Sequence, residues 1–253
     1  MKKFIATLKI IAILLWSVPI VFFQSIVLLF HKGQHSYLIP QLWHKGVCLI
    51  IGLKVTVVGK PATNKQVIYV SNHLSYLDIP ATGCFLRASF IAKDDIAGWP
   101  VIGFLATVQQ TAFISRKSSK AKKVANALDV MIKDGKNLIL FPEGTSSDGT
   151  DVLPFKSSLF SITQPKGLKP IAIQPFVIEL LDVDGLRLTQ KSRDIYAWYA
   201  DMDFSPHIWE FMQTSGATVK LTFLDVITPT PNQNRKELCQ IVENQISYGL
   251  NPS

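Results

Sequence analysis

The sequence predicts an α/β layer fold preceded by an apolar helical segment, and two observations carry this prediction. Short runs rich in β-branched and aromatic residues alternate with helical patterns over most of the chain. The first 30 residues, by contrast, form one long apolar run. The predicted strands are Val55–Val58, Val67–Val70, Ser89–Ala92, Leu138–Phe141 and Val219–Leu224.

Two helices are predicted in the body of the chain. Residues Ser119–Asp134 place apolar side chains at helical spacing, and Gly135 follows as a residue type common just beyond a helix end. Residues Arg235–Ile246 form an amphipathic closing helix. No internal repeat or Gly/Ser-rich linker marks a further domain. We therefore expect a helical anchoring segment at residues 1–53 and one catalytic domain at residues 54–253.

The apolar segment Phe4–Phe30 is long enough to cross a bilayer core, for which roughly 20 residues suffice. Only Lys9 interrupts it with charge, and its long stem can reach the interface that Lys2 and Lys3 occupy. Pro19 is tolerable both in a helix that spans and in one that bends back, so both arrangements stay open. A cleaved signal peptide is disfavoured because the apolar core is too long.

A second apolar stretch, Tyr37–Leu53, carries Trp43, His44 and Lys45 in its middle and so suits the membrane interface. An apolar content of 48% with only 17% charged residues also favours a membrane partner. The net charge of +8 attracts anionic lipid or nucleic acid, but no nucleic-acid-binding motif accompanies it. We therefore expect a membrane-bound protein without a nucleic-acid partner.

The cysteines and histidines indicate the redox state of the thiols and whether a metal site is expected. The three cysteines, Cys48, Cys84 and Cys239, are far apart and lack C-x-x-C spacing, so reduced thiols and a domain facing the cytoplasm are expected. His31 and His35 are four residues apart, but no carboxylate or cysteine accompanies them. No metal site is predicted.

The first candidate site follows the predicted strand Val67–Val70 and runs from Ser71 to Asp78. It offers the imidazole of His73 and the carboxylate of Asp78 at a strand's carboxyl end, where ligand sites of α/β sheets commonly lie. On a regular helix a five-residue spacing would separate the two by about 140°. A hydrogen bond between them therefore requires the backbone to turn. The alternative is a helix cap at Ser75, which a helix start nearer Asp78 would replace.

The second candidate site, Phe141–Gly149, also follows a predicted strand. Its glycines, hydroxyls and backbone N–H groups suit a phosphate or an ester oxygen, although the same residues also form ordinary turns. A third feature is basic and comprises Arg116, Lys117, Lys120, Lys122 and Lys123. Such a run either is a solvated face or binds phosphate.

In this order, the segments resemble those of the glycerolipid acyltransferases that include bacterial lysophosphatidic acid acyltransferases. Asn72–Asp78 resembles the N-H-x-x-x-x-D block, Phe113–Arg116 the F-I-x-R block and Phe141–Thr145 the F-P-E-G-T block. A fourth, proline-centred block resembles Ile173–Pro175. The resemblance covers roughly residues 35 to 230 and implies a mixed sheet flanked by helices.

Two departures bear on the acceptor. Gln110 stands where the second block often has glycine, and Ser146 where the third often has arginine. Phe141–Lys156 and Tyr196–Asp203 also resemble the lyso-ornithine lipid acyltransferases, which gives an alternative acceptor. A non-catalytic membrane lipid-binding protein is a further alternative.

The resemblance implies an O-acyltransferase that forms phosphatidic acid from lysophosphatidic acid, with acyl-CoA or acyl carrier protein as donor and no cofactor. His73 and Asp78 would be the catalytic pair. The implied substrate-binding residues are Asn72, Ser75, Arg116, Glu143, Gly144, Thr145 and Lys156. No G-x-S-x-G elbow is present, so direct transfer without an acyl-serine is expected. The expected location is the bacterial inner membrane, with the catalytic domain facing the cytoplasm.

Overall fold

The computed structural model describes residues 1–31, 33–114, 128–165, 167–230 and 233–251. The helices are α1 (Lys2–Phe30), α2 (Leu38–Ile51), α3 (Asp78–Gly83), α4 (Ile102–Val108), α5 (Gln190–Tyr196), α6 (Phe204–Met212) and α7 (Arg235–Leu250). The strands are β1 (Leu53–Val58), β2 (Val67–Val70), β3 (Ala88–Lys93), β4 (Ala112–Ile114), β5 (Asn137–Leu140), β6 (Ala172–Val183), β7 (Leu186–Arg187) and β8 (Ala217–Phe223). Short 3₁₀ turns cover Gln34–Tyr37, Asp94–Gly98 and Ser157–Thr163.

The strands form one mixed sheet in the order β1-β8-β6-β2-β5-β3-β4, with β7 paired to the end of β6. Strands β6 and β8 pair antiparallel, whereas β2 pairs parallel with both β5 and β6. Because β2 and β5 are parallel neighbours, the loops that leave their carboxyl ends meet at the same edge of the sheet. The predicted α/β fold with flanking helices is confirmed.

Side-chain alternation along β2 divides the interior into two cores. Val67 and Tyr69 point into a core shared with α2 and α6, and Ile68 and Val70 into a core shared with α7. Every residue of β2 is buried, as expected for a parallel strand covered on both faces. The two loops of interest are therefore held by a sheet with helices on both sides.

The five predicted strands all appear: Val67–Val70 has the predicted ends, and the ends of the other four differ by at most two residues. The sequence did not identify the 12-residue β6, in which Pro175 argues against an interior strand. Here β6 pairs with β2 up to Pro175 and with β8 from Phe176 onward. The proline therefore lies where pairing changes from one neighbour to the other.

The two predicted helices differ in how much of each is described. The closing helix is present as α7. Residues 128–133 are helical and Gly135 has the predicted left-handed conformation, with a φ of 72°. The rest of that prediction, and the basic cluster from Arg116 to Lys123, lies outside the described residues.

Helix α1 is long and apolar enough to cross a membrane, yet it packs along the body of the protein. It runs antiparallel to α2, with the Trp16 indole N–H donating to the carbonyl of Trp43. At one end the Lys9 Nζ donates to the carbonyls of Ile51 and Thr214, at 3.1 and 2.8 Å. Lys9 is thus hydrogen-bonded to carbonyls of the body. Its placement at a membrane interface stays a prediction.

The other end of α1 is also tied to the body, because the Gln24 Nε2 donates to the carbonyl of Ser36 at 2.9 Å. The opposite face of the helix is apolar and exposed. Its exposed side chains are Phe4, Ile5, Leu8, Ile11, Leu14, Leu15, Val18, Phe22, Phe23, Ile26, Leu29 and Phe30. This face has no protein partner among the described residues.

Candidate active site

The loop between β2 and α3 brings His73 and Asp78 together. Helix α3 begins at Asp78, so Pro80 lies in its first turn, where a missing N–H is harmless. The carboxylate turns back over the loop, and Asp78 Oδ2 accepts from His73 Nδ1 at 2.8 Å. It also accepts the N–H groups of Leu74 and Ser75, at 2.7 and 3.0 Å. The backbone turn that the five-residue spacing requires is therefore present.

A second group holds the same carboxylate from the far side. The Tyr196 hydroxyl donates to Asp78 Oδ1 at 2.9 Å from the end of α5. Asp78 and Tyr196 are both fully buried. No sequence pattern indicates this contact, since 118 residues separate the partners.

The imidazole of His73 lies between the buried carboxylate and a cavity. Its ring stacks on Phe141, with centroids 4.2 Å apart and planes 12° from parallel. Because Nδ1 faces Asp78, Nε2 is the nitrogen left for a substrate. The side chain is 20% exposed, so a ligand in the cavity can reach it.

The loop after β5 lies against the first loop. Glu143 Oε1 accepts the His73 backbone N–H at 3.2 Å, and the Ser147 N–H donates to the His73 carbonyl at 2.9 Å. Glu143 is buried, and among the described residues its Oε2 has no hydrogen-bond partner. Burial raises the pKa of Glu143 to about 8. The carboxyl group is therefore largely neutral near pH 7.

Gly144 brings a cation close to the backbone of this second loop. Its φ is 66°, and a Cβ built on it would lie 2.3 Å from the Lys156 Nζ. The Lys156 N–H donates to the carbonyl of Pro142 at 2.9 Å, which fixes the position of the lysine. The exposed Thr145 follows Gly144. The Lys156 ammonium therefore lies against the Gly144 backbone, and Gly144 and Thr145 line the same cavity as His73.

A cavity of about 630 Å³ opens between the two loops and the first helices. Its walls are largely apolar, and His73, Gly144 and Thr145 are among its polar lining. Apolar lining residues include Ile13, Ile20 and Val21 of α1, Trp43, Val47 and Ile51 of α2, and Ile102 and Leu105 of α4. The cavity is large enough, and apolar enough, for a hydrocarbon chain whose reactive end lies at His73.

A family model described as acyltransferase matches residues 54–179. A lyso-ornithine lipid O-acyltransferase from Brucella abortus (strain 2308) is 30% identical over 94% of this chain and 91% of the relative. A 1-acyl-sn-glycerol-3-phosphate acyltransferase from Neisseria gonorrhoeae is 32% identical over 78% of this chain and 74% of the relative. The chain belongs to this acyltransferase family.

The fold of this acyltransferase is also found in a solved structure. The crystal structure of the 1-acyl-sn-glycerophosphate (LPA) acyltransferase from Thermotoga maritima matches it with a TM-score of 0.69 at 21% identity. The match covers 99% of this chain and 96% of that chain. The fold that the sequence motifs implied is therefore confirmed over the whole chain.

The structure places most of the predicted site residues around one point of the acyltransferase. His73 and Asp78 face each other, and Glu143, Gly144, Thr145 and Lys156 lie on the adjoining loop. Arg116 lies outside the described residues. Within the described ranges, no group of three His, Cys, Asp or Glu side chains is placed to hold a metal ion.

Asn72 and Ser75 are the two predicted substrate-binding residues whose side chains are fully buried in the dyad loop. Their contact with substrate stays a prediction. Asn72 exchanges two hydrogen bonds of 2.9 Å with the backbone of Ile178, which extends the pairing of β2 with β6 beyond the last ladder pair. The Ser75 Oγ accepts the N–H of Leu77. These two residues hold the dyad loop in place.

The position often occupied by arginine in the family carries a buried serine. The Ser146 Oγ donates to the carbonyl of Trp198 and so joins the second loop to the segment after α5. Trp198 belongs to an aromatic rim beside His73, together with Tyr76, Trp99 and Phe204, whose rings meet edge to face. All four rings line the cavity.

Proposed function

We propose that this acyltransferase moves a fatty acyl chain from a thioester donor to the free hydroxyl of a lysolipid acceptor. The observation that carries the proposal is the His73–Asp78 pair, joined at 2.8 Å, whose imidazole lines a large apolar cavity. An imidazole oriented by a buried carboxylate is suited to general-base catalysis. The apolar cavity is suited to the chain that is transferred.

In the proposed step, His73 Nε2 takes the proton from the acceptor hydroxyl as its oxygen attacks the thioester carbonyl. Asp78 accepts the Nδ1–H throughout and stabilises the imidazolium that forms. When the tetrahedral intermediate collapses, the C–S bond breaks and the thiolate takes the proton back from His73. The products are an ester and a free thiol, and no cofactor enters the step.

The second loop is proposed to hold the head group. The Lys156 ammonium beside Gly144 provides a positive charge for a phosphate or carboxylate, and Thr145 provides an exposed hydroxyl. Glu143 fixes the loop against the His73 backbone. A further phosphate contact from Arg116 stays a prediction.

Lysophosphatidic acid is the proposed acceptor, and lyso-ornithine lipid is the second candidate. The ammonium of Lys156 favours an anionic head group such as a phosphate. Ser146 favours the second candidate, since it is buried against Trp198 and supplies no charge where an arginine would form a bidentate phosphate contact. The donor is proposed to be acyl-CoA or acyl carrier protein.

We also propose a location in the cytoplasmic leaflet of the bacterial inner membrane. Residues 1–53 would anchor the protein through the exposed apolar face of α1, with catalytic residues 54–253 facing the cytoplasm. Since α1 is tied to the body through both Lys9 and Gln24, it would lie in one leaflet and not cross the bilayer. Tags on both termini should then be protease-accessible from the cytoplasmic side only. Protection of the amino-terminal tag alone would indicate a spanning helix.

The activity is tested by incubating purified protein with labelled acyl-CoA or acyl carrier protein and each acceptor in parallel. Transfer to lysophosphatidic acid is expected, and transfer only to lyso-ornithine lipid would establish the second candidate. His73→Ala should abolish transfer. His35→Ala changes an exposed histidine outside the two loops of the site and should retain transfer. Transfer to neither acceptor, or full activity of His73→Ala, would favour a lipid-binding protein without catalysis.

A further inference from the structure

The Tyr196 hydroxyl occupies the one carboxylate oxygen of Asp78 that the dyad loop leaves open. Asp78 Oδ2 accepts from His73, Leu74 and Ser75, all within the loop. Asp78 Oδ1 accepts from Tyr196 at 2.9 Å. A fully buried carboxylate is costly unless donors surround it, and these four donors supply that environment.

Tyr196 is itself held firmly against the dyad loop. Its ring is fully buried and meets Phe211 edge to face, with centroids 6.2 Å apart. Two residues later, the Trp198 N–H donates to the carbonyl of Leu74 at 2.9 Å. The segment after α5 is thus hydrogen-bonded to the residue that follows His73.

A second tyrosine fixes the same segment from the opposite direction. The His207 Nε2 faces the carbonyl of Ala197 at 3.0 Å, and its Nδ1 faces the Tyr76 hydroxyl at 2.9 Å. With Nε2–H donating to the carbonyl, Nδ1 accepts the Tyr76 hydroxyl proton. Tyr76 of the dyad loop is therefore linked to the segment after α5 through His207 of α6, while Tyr196 at the end of α5 reaches the dyad loop directly.

The Tyr196 hydroxyl keeps its proton at physiological pH. Burial and the negative charge of Asp78 raise the pKa of Tyr196 well above its usual value. The hydroxyl therefore acts as a donor to the carboxylate.

We infer that Tyr196 is a positioning residue of the acyltransferase, one that acts on His73 through Asp78. This inference rests on the proposed role of the dyad in acyl transfer. By holding Oδ1, the hydroxyl fixes the rotation of the carboxylate so that Oδ2 faces the imidazole. It also shares the negative charge, which moderates how strongly Asp78 holds the imidazolium form of His73.

Removing the Tyr196 hydroxyl should shift the titration of His73 in one direction only. A carboxylate with one donor fewer attracts the imidazolium more strongly, so His73 keeps its proton to higher pH. Because the general base must be unprotonated, the acid limb of kcat/KM moves to higher pH. A tyrosine that only filled space would lower activity or stability without moving that limb.

The test compares Tyr196→Phe with Tyr69→Phe. Tyr69 is a suitable control because it is also buried and also donates one hydrogen bond, at 2.7 Å to the carbonyl of Ala62, away from the dyad. The His73 ring is titrated by NMR in the full-length protein without substrate, and the rate–pH profile of acyl transfer is recorded in parallel. Tyr196→Phe should move both curves to higher pH by about half to one unit and lower kcat roughly 3- to 30-fold. Tyr69→Phe should move neither.

A second substitution keeps the inference testable if Tyr196→Phe folds poorly. Placing 3-fluorotyrosine at position 196 makes the hydroxyl a stronger donor, so the His73 titration should move to lower pH. Unchanged His73 titration in both substitutions, or a shift as large in Tyr69→Phe, would overturn the inference. Since the titration needs no substrate, its outcome is separate from the failure of any acceptor to be acylated.

Discussion

The loops after β2 and β5 lie side by side at one edge of the sheet but differ in how completely their polar groups are used. In the first loop, the side chains of Asn72, Ser75 and Asp78 are buried and make hydrogen bonds within the protein. In the second, Glu143 Oε2 is buried without a hydrogen-bond partner in the part of the chain that the structure describes, and Thr145 is exposed. The first loop therefore has a fixed geometry, whereas the second retains polar groups for a ligand.

Two backbone contacts join the loops. The His73 N–H donates to Glu143 Oε1 and the Ser147 N–H to the His73 carbonyl. A head group held on the second loop is thereby placed against the imidazole of the first. Changes in the first loop should therefore alter the rate of transfer or the stability of the protein. Changes in the second loop should alter acceptor binding or the pH dependence of stability.

The largest expected effect comes from Asp78→Asn. The amide keeps the shape of the carboxylate but cannot stabilise the imidazolium, so kcat should fall on the order of 10²- to 10⁴-fold. Acyl-transfer rates at saturating acceptor measure this, with circular dichroism to verify the fold. The exposed Asp225→Asn is the control and should retain the wild-type rate. A loss below tenfold would contradict the assignment of Asp78.

Asn72→Ala should instead destabilise the protein. It leaves the buried N–H and carbonyl of Ile178 without partners, at a cost of about 2–4 kcal/mol. Denaturant unfolding in detergent measures this cost against the exposed Asn64→Ala, for which a change within about 0.5 kcal/mol is expected. Equal stability of the two variants would show that the side chain does not extend the sheet.

Glu143→Gln tests the second loop through the pH dependence of the protein's stability. An acid whose pKa is about 8 in the folded protein and near its usual value when unfolded binds more protons when folded between these limits. Wild-type stability should therefore fall as pH rises from about 4.5 to about 8, and Glu143→Gln should not share this loss. Melting temperatures at pH 5 and pH 9 measure the gap between the two proteins. The gap should widen by about 4 kcal/mol between these two pH values, since each unit of pKa difference corresponds to about 1.4 kcal/mol. A constant gap would mean that Glu143 is ionised in the folded protein.

Gly144→Ala should produce the smallest effect. The new Cβ would meet the Lys156 Nζ at 2.3 Å, so the flexible ammonium group must move away from the backbone. The KM for an anionic acceptor should rise roughly 3- to 10-fold with little change in kcat. Gly167→Ala is matched in backbone conformation, at a φ of 74°, but has nothing within 4 Å of its Cβ. An equal rise in KM in both variants would show that backbone strain, and not Lys156, is responsible.

Local patterns in the sequence predicted much of the fold and the centre of the site. Short β-rich runs located five strands, since buried parallel strands are almost continuously apolar. The spacing of His73 and Asp78, together with Pro80, required a turn before a helix start near Asp78, and the structure has that turn. Such features depend only on residues that are close together in the sequence.

The contacts that the sequence did not predict join distant parts of the chain. Tyr196 reaches Asp78 across 118 residues, and Asn72 reaches Ile178 across 106. Neither residue type in isolation indicates such a partner, because a buried tyrosine or asparagine satisfies its polar atoms in many ways. The hydrogen bond from Lys9 to the carbonyl of Thr214 also joins distant parts of the chain. A lone lysine in an apolar helix ordinarily indicates a membrane interface, and so the sequence did not predict this partner.

The packing of α1 and α2 has a practical consequence for handling the protein. These helices supply Ile13, Ile20, Trp43 and Val47 to the cavity that opens at His73. Deleting residues 1–52 to obtain a water-soluble enzyme would therefore remove one wall of the cavity. The remaining apolar lining of the cavity and the face of α6 that packs on α1 would become exposed. Purification should keep α1 and α2 and supply detergent, because the helix with the exposed apolar face also forms part of the wall of the cavity that His73 lines.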